Sequence, residues 1–123
     1  MKKVIHVNFE DCKEFNQSRF NPVVPHQTDK YKLVLAYFLP GQFIPVHSPS
    51  VDVIFCIYKG KGEIVAGESS LPVKSGDVVV VTAGEKRGIK AETEMQVLHI
   101  VVPPPTDGDH SEVHTRLAEG RFK

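Results

Sequence analysis

The sequence predicts an all-β fold, a sandwich or barrel of short strands. Nine glycines and nine prolines divide the chain into short pieces, and β-branched and aromatic residues fill the segments between them. Turn residues recur roughly every eight to twelve positions between 32 and 102, and no helical period is sustained there. Together these features are typical of sandwiches and barrels.

The strands follow from the positions of the turns. We predict them at 32–38, 43–47, 52–59, 63–66, 71–73, 78–81, 87–90 and 95–102. Pro72 places the fifth strand at an edge or a bulge, because proline has no N–H to donate to a neighbouring strand. Segments 52–59 and 78–81 are apolar almost throughout, so both of their faces should be covered. One face would look into the barrel, and the other would meet a second sheet or a second subunit.

The flanks of this predicted core differ from it. Residues 1–31 are expected to form an N-terminal arm of one or two strands packed on a core barrel of about 32–102. Residues 103–123 contain a Pro-rich turn and a short tail, in which 110–117 could form one or two helical turns with Asp109 as N-cap. The chain of 123 residues is predicted to form a single domain.

Charge argues against two classes of partner. There are 15 basic and 15 acidic side chains, whereas nucleic-acid and membrane-surface proteins usually carry a basic excess. No apolar stretch of signal-peptide length follows the start, which favours a cytoplasmic location. Cys12 and Cys56 lack a CxxC neighbour, so neither a zinc site nor a redox motif is expected.

Two glycine-anchored segments carry a resemblance to a known family. The stretch 40–62, PGQFIPVHSPSVDVIFCIYKGKG, and the stretch 76–91, GDVVVVTAGEKRGIKA, resemble the two motifs of the cupin superfamily. Gly41, His47 and Gly60 match the first motif, and Gly76 and Gly84 match the second. The resemblance implies a double-stranded β-helix, or jelly-roll, barrel that forms homodimers.

The same resemblance implies that the family's metal site has been largely lost. Its four metal ligands fall on His47, Pro49, Val53 and Arg87 of this sequence. Proline and valine side chains offer no ligand atom, and arginine is a permanent cation without a lone pair to donate. We therefore expect no metal cofactor. A divalent metal would require His47 to be joined by His26 or His99, with Asp52 as a further candidate.

Four residues are the predicted ligand-binding set. His47 is the remaining ligand position and should face the barrel interior. Arg87 is interpreted as a clamp for an anion, with an internal ion pair to Asp52 or Glu85, or an exposed rim position, as alternatives. Phe55 should line an apolar interior, and Tyr58 should line either the pocket or the dimer face.

The remaining histidines are weaker candidates. His99 lies in an apolar strand, which favours a hydrogen-bonded core residue over a metal ligand. His26 lies in the arm, where the sequence does not fix its position. His110 and His114 are four residues apart and are interpreted as part of a solvated tail.

Three functions remain open at this stage. The preferred hypothesis is a small-molecule-binding cupin without the usual metal, whose pocket suits an anionic organic ligand. The second is an enzyme, either a metal-dependent oxygenase or an isomerase. The third is a non-catalytic dimeric structural or interaction module, with Ile54, Cys56 and Tyr58 on the dimer face.

Overall fold

The computed structural model describes residues 4–104 and 107–123, with side chains described outside 105–112. In chain order the elements are α1 (Phe9–Cys12), β1 (Asn21–Gln27), β2 (Lys32–Phe38), β3 (Phe43–His47), β4 (Asp52–Lys59), β5 (Lys61–Ala66), β6 (Ser69–Lys74), β7 (Val78–Val81), β8 (Arg87–Ala91), β9 (Met95–Val102) and α2 (Asp107–Glu119). Each of the eight predicted strands is present, and five of them have the predicted bounds.

The strands form two antiparallel sheets, which confirms the all-β prediction. One sheet has five strands in the order β1-β2-β9-β4-β7, and the other has four in the order β3-β8-β5-β6. The core lies between them, since Phe55 and Val97 of the first sheet share one buried cluster with Ile64 and Ile89 of the second. β6 is an edge strand, as Pro72 predicts.

Strand β4 shows how the sequence pattern assigns the two faces. Val53, Phe55 and Ile57 are buried, while the alternate residues are half-buried or exposed. Successive side chains of a strand point to opposite faces, so the first set faces the core and the second faces away from it.

The turn between β4 and β5 requires its glycines. Gly60 has φ +90°, in the left-handed region that glycine adopts without steric cost. A Cβ atom at Gly60 would overlap the carbonyl oxygen of Glu94, and one at Gly62 would overlap that of Lys90. The backbone of Gly60 therefore packs directly on the connection from β8 to β9, and that of Gly62, at the start of β5, packs on the end of β8.

The N-terminal arm contains one strand and one helical turn. β1 pairs with β2 and so extends the five-stranded sheet. α1 lies beside the end of β4, where the ring of Phe9 stacks on Tyr58 at 4.5 Å between centroids. The hydroxyl of Tyr37 donates a hydrogen bond to the carbonyl of Phe9 at 2.7 Å, which fixes the arm to the sheet.

The C-terminal segment corrects the prediction of a short tail. α2 is 13 residues long, and Asp109 lies inside it rather than at its N-cap. The helix packs on β3, and Arg116 donates to the carbonyl of Val46. Beyond the helix, the carbonyl of Phe122 accepts from the backbone N–H of Val46 at 2.6 Å. Among the described residues, no helix is long and apolar enough to cross a membrane.

Candidate functional site

A cavity of about 220 Å³ opens between the two sheets, beside α2. Its walls are mostly apolar, with three basic side chains and three histidines among them. The apolar lining comes from Phe20, Pro22, Val34, Ile44, Pro49, Val51, Val53, Phe55, Ile89, Val101, Val113 and Leu117, and the polar lining from Arg19, Lys32, His47, Arg87, His99 and His114. No acidic residue belongs to this lining among the residues whose side chains are described.

One wall is built by two neighbouring rows of the five-stranded sheet. Val34 pairs with His99, and His99 pairs with Phe55. In the next inward-facing row, Lys32 and Val53 both pair with Val101. Residues two apart on a strand share a face, so Lys32 and His99 are diagonal neighbours on the cavity wall.

The opposite wall brings His47 and Arg87 together. The two residues face each other directly across the β3–β8 pair, and the register shifts by one residue between Ile44 and His47. Such a bulge re-aims the side chains that follow it. It explains why Ile44 and His47, three residues apart, both line the cavity.

The imidazole of His47 is oriented by the backbone. Its Nδ1 lies 2.8 Å from the carbonyl oxygen of Pro45, which can only accept a hydrogen bond, so Nδ1 carries a proton. In the neutral ring the lone pair is therefore on Nε2. His47 lines the cavity, in agreement with the prediction that it faces the barrel interior.

Arg87 lies in the cavity wall rather than on an exposed rim, since only 3% of its surface is accessible. Nη2 donates to the carbonyl of Thr82 at 2.8 Å and to that of Glu85 at 3.2 Å, and Nε donates to the latter at 3.3 Å. Glu85 thus contributes its backbone, not its carboxylate. Through these bonds the guanidinium holds the connection from β7 to β8 in place. The carboxylate of Asp52 is bound to the same connection, since it accepts from the N–H of Ala83 at 2.7 Å.

His99 is buried, with 6% of its surface accessible, and its ring lies edge-on to Phe55 at 4.8 Å. Its Nε2 has no hydrogen-bond partner among the described residues. The sequence favoured a hydrogen-bonded core histidine, and this expectation is wrong for Nε2. Burial, and then the charge of Lys32, lowers the pKa of His99 to about 3. The ring is therefore neutral at ordinary pH.

Lys32 is a site residue that the sequence analysis missed. It begins β2 and is half-buried, and burial lowers the pKa of its ammonium group. The signal was present in the strand pattern, because Lys32 shares the inward face with Val34. A lysine at the start of a strand is usually assumed to be exposed to solvent. The sequence does not show that the first residue of this strand still lies inside the barrel.

Two predicted site residues lie elsewhere. Tyr58 is 42% exposed and stacks on Phe9, outside the cavity. Strand alternation causes this, since Tyr58 is three residues from the inward-facing Phe55. His26 lies on β1 with its ring 5.7 Å from that of Tyr31, and it too is outside the cavity lining.

The four positions that the resemblance assigns to metal ligands do converge. His47, Pro49, Val53 and Arg87 all line the cavity, but they offer one imidazole and no other lone-pair donor from a side chain. Among the described residues, no group of three His, Cys, Asp or Glu side chains is placed to hold a metal ion. Because a bound divalent metal normally needs three or four protein ligands, these residues do not fit the metal.

The cavity also receives residues from the C-terminal helix. Val113, His114 and Leu117 of α2 line it, although His114 itself is exposed. Val113 and His114 lie four and three residues before Leu117, so each of them is a neighbour of Leu117 on the helix surface. This spacing is the signal that the sequence offered. The interpretation of His110 and His114 as part of a solvated tail can be compared with the structure only at His114, since the side chain of His110 lies outside the described residues.

Comparison with curated proteins finds relatives that match part of this chain. No protein-family model matches the chain. Auxin-binding protein 4 of Zea mays is 28% identical over 103 residues, which cover 74% of this chain and 50% of that protein. The chain spans half or less of the length of the curated relatives it matches.

Solved structures similar to this one can be superposed on most of the chain. An RmlC-like cupin protein from Desulfovibrio desulfuricans has a TM-score of 0.74 and 30% identity, covering 82% of this chain and 98% of its own. The protein TT1209 from Thermus thermophilus has a TM-score of 0.77 and 19% identity, covering 81% of this chain and 98% of its own. At this lower identity the likeness shows the fold alone.

Proposed function

Because this chain belongs to the cupin superfamily, we propose that its barrel binds a small organic anion without the usual cupin metal. The single observation that carries the proposal is the lining of the cavity. Its walls are apolar, three basic side chains reach it, and the described lining contains no carboxylate. Apolar walls with a few placed polar groups are the usual make-up of a ligand pocket.

The size of the cavity limits the ligand. A volume of about 220 Å³ is below the ~300–1,000 Å³ of pockets for drug-sized molecules. The ligand should therefore be a small molecule, and the mostly apolar lining with its basic side chains suits an apolar body that carries a negative charge. Auxin is the ligand named for the maize relative, and it is one of the anions to test.

A thermal-shift panel tests this function. We expect small carboxylates, from acetate and isobutyrate to phenylacetate and indole-3-acetate, to raise Tm when in excess over Kd, because they bind the folded state alone. Phenylacetamide, which has the same shape without the charge, should raise Tm less. Shifts of backbone resonances at Val34, Phe55 and Ile89 would locate the bound anion in the cavity. A panel in which no carboxylate raises Tm would contradict the proposed function.

A second observation favours a homodimer. On the outer face of the five-stranded sheet, Ile54 pairs with Val80 and Ile100, and Cys56 pairs with Val78 and Leu98. Val78 and Val80 remain 62% and 60% exposed. We propose that a second copy of the chain covers these two apolar rows, since contiguous exposed apolar surface commonly marks an interface. Tyr58 lies on this same outer face. The sequence predicted it either in the pocket or on the dimer face, and its position is compatible with the second.

A further inference from the structure

We infer that Lys32 and His99 bind the charged group of the ligand, which we identify as a monocarboxylate with an apolar body. This inference rests on the proposed binding of an organic anion and specifies where the anion sits. The anion would thus bind at the β2–β9 wall of the cavity, and not at the β3–β8 wall, where the sequence predicted Arg87 as the anion clamp.

The first support is the placement of the two side chains. Lys32 and Val34 share the inward face of β2, as His99 and Val101 share that of β9. Lys32 and His99 are therefore diagonal neighbours, a separation of roughly 7–8 Å between backbones that long side chains can bridge. The charge of Lys32 is felt by the imidazole, which agrees with this proximity.

The second support is the charge of Lys32. Lys32 is half-buried, and none of the ion pairs between described residues involves its ammonium group. Its burial disfavours the charged form. An anion in the cavity would reverse this effect, because an opposite charge nearby favours the ammonium ion.

The third support is the unpartnered Nε2 of His99. A buried polar atom without a hydrogen bond is rare and costs stability. This one belongs to a side chain more than nine-tenths buried in the wall of the cavity. A neutral imidazole can place its one N–H on Nε2 and donate it to a carboxylate oxygen. A ligand carboxylate would thus accept from His99 through one oxygen and from Lys32 through the other.

Arg87 is already engaged with the backbone through two of its three side-chain nitrogens. Its Nε and Nη2 donate to the carbonyls of Glu85 and Thr82, so these donors already hold the backbone. We assign Arg87 a structural role at the connection from β7 to β8. On the β2–β9 wall, the charge of Lys32 lies beside the neutral imidazole of His99 and apolar side chains, which suits one carboxylate group attached to an apolar body.

The test compares a variant that loses a positive charge in the cavity wall with a variant that loses one outside the cavity. Isothermal titration measures the Kd of phenylacetate and of phenylacetamide for wild type, Lys32→Gln and Lys30→Gln. Lys30 is exposed in the turn before β2, so it controls for the loss of one positive charge. We expect Lys32→Gln to weaken phenylacetate by about tenfold or more, the loss of one charged hydrogen bond. Phenylacetamide and the Lys30→Gln variant should change by less than about twofold.

Two further measurements separate ligand binding from folding. Lys32→Arg keeps the positive charge and should recover most of the affinity for phenylacetate. In wild type, the side-chain ¹⁵N resonance of His99 Nε2 should shift when phenylacetate binds and should shift less with phenylacetamide, the uncharged probe. Either an unchanged Kd in Lys32→Gln or an equal loss for both probes would overturn the inference while the proposed function stands. If wild type binds none of the carboxylates in the panel, both fail.

Discussion

At the scale of single residues, His99 is a buried histidine in largely apolar surroundings. The sequence Val97-Leu98-His99-Ile100-Val101 marks it as buried, which it is. Its neighbours Val34 and Phe55 offer no hydrogen bond from their side chains, so the ring is held neutral by apolar packing. This combination gives the protein a specific dependence on pH.

We expect His99 to destabilise the fold as pH falls below 6.5. Its pKa is about 3 in the folded protein against an ordinary value of 6.5, so the unfolded chain binds the proton more readily. The contribution to stability is complete above pH 6.5 and is lost progressively as pH falls from 6.5 towards 3. The slope from one such group is about 1.4 kcal/mol per pH unit.

Urea unfolding at pH 7, 6 and 5 measures this slope. His99→Gln removes the titrating group and should flatten the pH dependence, whereas His6→Gln, at an exposed position, should retain it. An equal slope in wild type and His99→Gln would show that other groups control stability in this range.

At the scale of elements, α2 is the part of the fold that completes the cavity. Its Leu117 and Val113 contribute apolar wall, and Arg116 with Phe122 holds the C-terminal segment on β3. The barrel alone would leave this side of the cavity open to water, which weakens electrostatic contacts made inside it.

Leu117→Ala should therefore affect both stability and binding. Removing part of a half-buried leucine should lower the free energy of unfolding by about 1–2 kcal/mol, and it should weaken phenylacetate. Leu71→Ala makes the same change at an exposed position of β6 and should cost less than about 0.5 kcal/mol. Chemical denaturation with titration of phenylacetate measures both effects, and equal losses in the two variants would contradict the role of α2.

At the scale of the whole molecule, we propose that the outer face of the five-stranded sheet forms a dimer interface. Light scattering should give a mass about twice the 13.7 kDa of one chain. Val80→Lys places a charge in the exposed apolar row and should shift the mass to that of a monomer. Leu71→Lys, on the edge of the other sheet, should leave the dimer intact. A wild-type monomer at micromolar concentration would rule out the interface.

Metal content is the second property of the whole molecule to test. The four positions that would hold the family's metal supply only the imidazole of His47, so chelation with EDTA should leave Tm unchanged. Elemental analysis should find less than one metal per chain. A stoichiometric metal that disappears in His47→Ala would instead support the alternative of a metal-dependent oxygenase or isomerase.

The sequence by itself determined the strands and the faces of the sheets. Segment 52–59 is apolar almost throughout, which predicted that both of its faces are covered, and the two-residue repeat of a strand places Phe55 and Ile54 on opposite faces. Glycine turns such as Gly60-Lys61-Gly62 marked strand ends, because only glycine tolerates that backbone and that close approach. The two glycine-anchored motifs identified His47 and Arg87 as neighbours of one site.

Only the tertiary structure decided which side chains share the cavity. Lys32 and His99 are 67 residues apart in the sequence and meet because β2 pairs with β9. The bulge in β3 turns His47 inward, and the packing of α2 on β3 brings Leu117 to the cavity. These placements depend on register and on contacts between distant segments, which the local period of a sequence does not encode.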